Sequence, residues 1–183
     1  MENYKILIIG TPRSGTTSLL NVLSNAGKLK RVFEPFNYDI PNNYNFPFNL
    51  ENSIVKICPF QTPKEYGNHS DFLSFVKEYY LEFDKTILLT RKNKKEHLMS
   101  WHSSISKTKK ETEQDLKIYI DVMYEISNYV NIPLTFYEDL YGEDREKSLS
   151  IIKNWNLPFK SNRINEYLHP KYRYKKIVNK SVL

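Results

Sequence analysis

Residues Tyr4–Leu23 read YKILIIGTPRSGTTSLLNVL, and this stretch decides the fold. A short apolar run, Ile6 to Ile9, stops at Gly10. A loop carrying Arg13, Ser14 and Gly15 follows, and an apolar-periodic segment opens at about Thr16. The layout is a strand, an anion-binding loop and a helix. Gly10 and Gly15 permit backbone angles that let successive N–H groups converge on an anion. The helix starting near Thr16 turns its unpaired N–H groups and the positive end of its dipole toward the same point.

The loop is close to the nucleotide-binding pattern G-x-x-x-x-G-K-[ST] and departs from it at one position. Thr16 stands where that pattern has lysine, and the cation has moved to Arg13.

Outward from this unit, strands and helices alternate. The other strand candidates are Ser53–Ile57, Thr86–Thr90 and Leu134–Tyr137, each a short run of β-branched, aliphatic or aromatic residues suited to a buried parallel strand. The helix candidates are Thr16–Ala26 with Gly27 as C-cap, a segment from Ser70 to about Leu81, Lys94–Ser106, Thr112–Tyr129 and Asp144–Trp155. Thr112 and Asp115 form a weak version of a capping box. The alternation predicts an α/β fold: a three-layer domain with a mostly parallel central sheet, a phosphate-loop-like unit at its N-terminal end, and one domain over 1–183. Lys28–Glu51, rich in proline, asparagine and aromatics, reads as a long irregular loop of the kind that usually carries function. The basic end, about 171–183, reads as a tail.

The chain has 183 residues, 40% of them hydrophobic and 14% aromatic, enough for a real core. A net charge of +6 suits an anionic ligand. Cys58 is the sole cysteine, so no intramolecular disulfide is possible. Met1-Glu2-Asn3 is not a basic leader, and no apolar run approaches the roughly 20 residues of a membrane span. A cytoplasmic protein without membrane insertion is the expectation.

Three further pieces carry chemistry. Strand Thr86–Thr90 runs into Arg91, with Ser100 on the helix beyond; an arginine at the carboxyl end of a parallel strand faces the ligand crevice, and its fork suits two phosphate oxygens. Glu34 lies among apolar and aromatic residues in Arg31–Phe36, surroundings that raise a carboxylate's pKa and make it a better base. Tyr137-Glu138-Asp139-Leu140 brings acids to the end of a strand. His69, His97, His102 and His169 form no ligand pattern with Cys58, and no metal is suggested.

In this order, the pieces resemble the sulfotransferases that use 3′-phosphoadenosine-5′-phosphosulfate (PAPS). Gly10 to Thr17 is similar to their donor loop, Arg91 with Ser100 to their second donor motif, and Tyr137–Leu140 to their Y-E-D-L segment. The resemblance covers about Lys5 to Trp155. It implies that Arg13, Ser14, Gly15, Thr16, Thr17 and Ser18 hold the 5′-phosphosulfate. It also implies that Arg91 and Ser100 hold the 3′-phosphate and that Tyr137 borders the adenine. The product would be adenosine 3′,5′-bisphosphate, with no metal in the reaction. Bacterial sugar sulfotransferases that place a glutamate shortly after the first helix look nearest, which makes Glu34 the general base and Arg13 a catalytic cation. The acceptor implied is a hydroxyl of a carbohydrate or small metabolite, on whose rings the aromatic loop could stack.

The chain departs from cytosolic members in two places. Lys56-Ile57-Cys58 has cysteine where they have a catalytic histidine, and their C-terminal R-K-G segment is absent, leaving Arg173 or Lys175 as the cations nearest in role. Two other readings stay open. A phosphate-loop kinase would need a magnesium-holding acid at a strand end, where only Glu138-Asp139 stands. A non-catalytic anion- or nucleic-acid-binding module would use Lys92, Lys94, Lys95, Lys107, Lys109 and Lys110 as a basic face, although no nucleic-acid motif accompanies them.

Overall fold

The structure, a computed structural model, describes residues 3–37, 50–59, 61–62, 72–160, 163–164 and 168. Five parallel strands form one sheet: β1 (Lys5–Gly10), β2 (Lys30–Phe33), β3 (Ser53–Ile57), β4 (Lys85–Thr90) and β5 (Leu134–Phe136). Their order is β2-β3-β1-β4-β5. The register sets Leu7 beside Val55 on one side of β1 and beside Thr86 on the other. The helices are α1 (Thr16–Gly27), α2 (Phe72–Tyr79), α3 (Lys94–His102), α4 (Lys109–Val130), α5 (Tyr137–Tyr141) and α6 (Arg145–Asn154), with a 3-10 turn at Tyr80–Glu82.

Strand side chains alternate between two buried faces, which explains why the strands read as continuous apolar runs. Ile6 and Ile8 pack with Ile54, Ile87 and Leu89 against α1, α5 and α6, contributing Leu19, Leu23, Leu140 and Ile152. Leu7 and Ile9 pack with Val55, Ile57 and Leu88 against α2 and α4, contributing Phe72, Phe75, Met123 and Ile126. The result is the expected α/β three-layer domain. A small third cluster, Trp101, Leu116 and Ile120, joins α3 to α4. No helix among the described residues is long and apolar enough to cross a membrane.

Several boundaries differ from expectation, each for a local reason. Lys30–Phe33 is an edge strand within the stretch read as irregular; it pairs with Ser53–Lys56, and only Val32 is buried. Gly27 is the last residue of α1 rather than its cap. Lys28 takes the left-handed conformation at φ 55° and its N–H donates to Ser24 O. Helix α3 stops at His102, and Asn93 caps it by accepting from Glu96 N. Helix α4 starts three residues before Thr112, because Thr108 and Glu111 form the reciprocal capping box. The last strand ends at Phe136, and Tyr137 opens a helical turn. Asp144 caps α6 as its acid-rich start suggests. Ser70, His69, His169 and the tail with Arg173 and Lys175 lie outside the described residues.

The chain passes from β3 to β4 across β1, so the crevice at the carboxyl ends of the strands opens beside the β1 loop.

Candidate functional site

All five strands deliver a residue to this crevice: the loop 11–15 after β1, Glu34 after β2, Cys58 after β3, Arg91 after β4 and Tyr137 after β5. Together they line an open cleft of about 880 Å³, within the roughly 300–1,000 Å³ of small-molecule sites. Arg13, Gly15, Thr16, Thr17, Ser18, Glu34, Arg91, Ser100 and Tyr137 all line it. Ser14 does not.

The loop is held from beneath. Ser14 is fully buried, its hydroxyl lies within hydrogen-bond reach of Thr11 O and Leu89 O, and its N–H donates to Thr11 O. Its part is to close the loop onto β4, not to face the cleft. Thr11 and Thr90 hydroxyls, 3.2 Å apart, add a second tie. His97, also fully buried, meets Pro12 O through Nε2 at 2.6 Å. Burial, helped by the charge of Arg91, holds the His97 pKa below the ordinary imidazole value. Because the Pro12 carbonyl can only accept, Nε2 of the ring carries the proton and donates to it.

Gly10 and Gly15 are needed for different reasons. Gly15 has φ 86°, and a Cβ there would lie 2.7 Å from the Tyr137 ring. Gly10 has no positive φ; a Cβ there would meet Leu89 O at 2.5 Å. Arg13, two residues before Gly15, is left-handed as well, at φ 60°. That conformation is uncommon for a residue other than glycine, and Glu34 shares it at φ 43°. Of the seven left-handed non-glycine residues among those described, these two line the cleft, whereas Lys28 and Asn131 are helix C-caps.

Helix α1 begins at the loop with Gly15 as N-cap, no side-chain cap and no acid in its first turn. Its first amides have no intrahelical acceptor and face the cleft with the dipole's positive end. Arg13 reaches across to Ser100, Nε to Oγ 3.4 Å. No ion pair joins Arg13 to a carboxylate among the described residues.

Across the cleft, the Lys56 ammonium pairs with the Glu34 carboxylate, their side chains 4% and 12% exposed. Lys56 lies 4.8 Å from the Phe33 ring centroid. Glu34 Oε2 accepts from Asn37 Nδ2 at 2.7 Å and Gln61 Nε2 at 3.1 Å. Gln61 is itself oriented, its Oε1 accepting from Cys58 N at 2.9 Å. Burial alone would raise the Glu34 pKa, as the sequence suggested. The charge and hydrogen bond of Lys56 and the bonds from Asn37 and Gln61 outweigh it, and the pKa lies below the ordinary carboxyl value. The expected raised pKa is corrected: the apolar setting was visible in the sequence, but Lys56, Asn37 and Gln61 together outweigh its effect. Burial pushes the Cys58 thiol up to about 11, so Cys58 is a neutral neighbour, with Sγ 3.8 Å from Glu34 Oε1.

Arg91 lies against the Tyr137 ring, its guanidinium carbon 4.5 Å from the centroid. Tyr141 stacks behind Tyr137 at 4.8 Å and donates its hydroxyl to Gly15 O at 3.1 Å. Glu138 and Glu96 both meet Arg91. Asp139 pairs with Lys92 and Lys147. Both acids of the Y-E-D-L segment are therefore engaged by cations. Of the remaining lysines of the basic face, Lys107 pairs with Asp115, while Lys94, Lys95, Lys109 and Lys110 line a separate groove between α3 and α4. No group of three or more His, Cys, Asp or Glu suited to a metal occurs among the described residues.

Sequence reasoning missed Lys56, Asn37, Gln61 and His97 as parts of this site. A lysine inside the apolar strand SIVKI was the available signal for Lys56. The others depend on which loops meet in space. No protein-family model matches this chain, and no curated protein matches it closely enough to count as a relative.

Proposed function

We propose that the chain is a sulfotransferase that moves the sulfuryl group of PAPS to a hydroxyl of a carbohydrate or small-molecule acceptor, without a metal. The observation that carries this reading is the pairing in one cleft of two unlike parts. One is the uncapped α1 N-terminus, with no acid in its first turn, beside Arg13, which pairs with no carboxylate among the described residues. The other is Glu34, an ionised carboxylate gripped by Lys56, Asn37 and Gln61.

PAPS, when bound, supplies an activated sulfuryl group on a phosphosulfate. This chain's residues supply alignment and charge, which is most of what such a transfer requires. The α1 amides and Arg13 would hold the phosphosulfate and offset negative charge as the bond to its 5′-phosphate lengthens. Ser100 meets Arg13, and Thr16, Thr17 and Ser18 line the same wall. Arg91, backed by Tyr137, would read the 3′-phosphate. Glu34 would accept the proton of the acceptor hydroxyl as its oxygen bonds to sulfur. Its lowered pKa keeps Glu34 ionised at neutral pH, and its protonation would leave the Lys56 cation without its paired carboxylate, beside the negative charge of the transferring group. The kinase reading fits less well, since Asp139 already holds two lysines and Glu138 holds Arg91.

The test is transfer of label from ³⁵S-PAPS into pooled sugars, glycolipids and phenols, by the wild type and Glu34→Gln. The proposal expects labelled product with the wild type only. No labelled product from any pool, or equal product from Glu34→Gln, would contradict it.

A further inference from the structure

Arg91 meets two carboxylates, and they are held very differently. Glu138 is 29% exposed in its side chain and accepts three bonds: from Lys92 N at 2.8 Å, Asn93 N at 3.3 Å and Arg91 Nε at 3.4 Å. Two of those donors are backbone, so Glu138 cannot move without undoing the turn between β4 and α3. Glu96 is 60% exposed, and its carboxylate has a single partner among the described residues, the outer nitrogen Nη2 of Arg91 at 3.3 Å. No other described residue anchors the carboxylate, and rotation into solvent costs it one weak ion pair.

The guanidinium is thus fixed on two sides. Tyr137 covers one face and Glu138 takes the Nε edge. The edge left for a bidentate anion is the one formed by the two outer nitrogens, and Glu96 occupies part of it. A phosphate arriving there would bring like charges together while Glu96 stayed, a costly arrangement.

We infer that Glu96 is a displaceable internal anion on Arg91, occupying the position of an incoming phosphate, and that Glu138 is the positioning residue that keeps the guanidinium aimed. This rests on the reading that Arg91 binds the 3′-phosphate of the donor. It adds a specificity element: a ligand without a phosphate there leaves Glu96 in place, and a ligand with one must expel it.

The experiment is calorimetry with adenosine 3′,5′-bisphosphate and adenosine 5′-phosphosulfate on wild type, Glu96→Gln, Glu138→Gln and Arg91→Ala, and on the Arg91→Ala/Glu96→Gln double variant. Glu96→Gln should tighten the bisphosphate about two- to fivefold, the scale of one exposed ion pair, and leave the 5′-phosphosulfate unchanged. That gain should vanish in the Arg91→Ala background, since the two residues act as one unit. Glu138→Gln should weaken the bisphosphate selectively, whereas a purely structural role would weaken both ligands together. If the bisphosphate binds wild type and Glu96→Gln equally, or binds the variant more weakly, the role of Glu96 is overturned and the donor reading stands. If neither protein prefers the bisphosphate to the 5′-phosphosulfate, the donor reading itself falls and takes this inference with it.

Discussion

His97 Nε2 lies 2.6 Å from the carbonyl oxygen of Pro12, a partly buried bond that ties helix α3 to the anion loop. Through it, the helix that carries Glu96 and Ser100 and the loop that carries Arg13 are set against each other. Either form of the ring can make this donation, which by itself favours the charged one; burial outweighs it and holds the His97 pKa below the ordinary imidazole value.

The sign of the pH effect follows. The unfolded imidazole takes up a proton below about 6.5, while the folded one resists it. Stability should therefore be full above that value and decline as pH falls through it. His97→Ala should remove this decline and lower stability by about 1–3 kcal/mol at pH 7, because Pro12 O loses its buried donor. Denaturant titrations of both proteins at pH 5, 6 and 7 check it. An unchanged pH dependence in the variant would remove His97 from the account.

Glu34 and Lys56 give a second prediction. Folding lowers the Glu34 pKa, so its stabilising contribution is present above the ordinary value of 4.5 and lost as pH falls through the folded value. The acidic limb of sulfuryl transfer should accordingly lie below 4.5. Lys56→Met removes the paired cation, should shift that limb upward and should cost about 3 kcal/mol, the lower end for a buried pair opened from one side. Carboxyl-labelled NMR of Glu34 in both proteins measures the shift without relying on activity.

Gly15→Ala combines a positive φ with a methyl 2.7 Å from the Tyr137 ring. Strain alone costs about 1–2 kcal/mol, and displacing Tyr137 disturbs the surface behind Arg91. The expected outcome is a lower melting temperature and weaker adenosine 3′,5′-bisphosphate binding together. A variant with wild-type affinity would show that the loop tolerates rearrangement there.

Much of this fold was legible because both faces of the sheet are buried, which writes each inner strand as an apolar run such as ILII or TILLT. Strand β2 escaped because Lys30 and Arg31 are exposed, and at an edge only Val32 is fully buried. The start of α4 was legible too: Thr108 and Glu111 have the capping-box spacing, and a weaker version at Thr112 was read instead. Strand order was not legible, since no local pattern says that β3 and β4 flank β1. For the site, Arg13, Glu34, Arg91, Ser100 and Tyr137 were found because each sits at a strand end or on the element after it. Lys56 lies within a strand and Gln61 in a loop, so their convergence on Glu34 depended on the sheet being assembled.

Arg91→Ala tests the division of labour among the cations. It should weaken adenosine 3′,5′-bisphosphate at least tenfold more than adenosine 5′-phosphosulfate, the loss expected when a charge-assisted bidentate contact of about 1.5–3 kcal/mol disappears. Titration of both ligands into wild type and variant measures it. Equal losses would mean that Arg91 does not read a 3′-phosphate.

The central claim is that the cleft is built for a 3′-phosphorylated adenosine nucleotide rather than for a nucleoside triphosphate with magnesium. Calorimetric titration of the wild type with adenosine 3′,5′-bisphosphate and, separately, with ATP–Mg²⁺ tests it most directly. The account predicts micromolar or tighter binding of the bisphosphate and much weaker binding of ATP–Mg²⁺; the reverse order would contradict it.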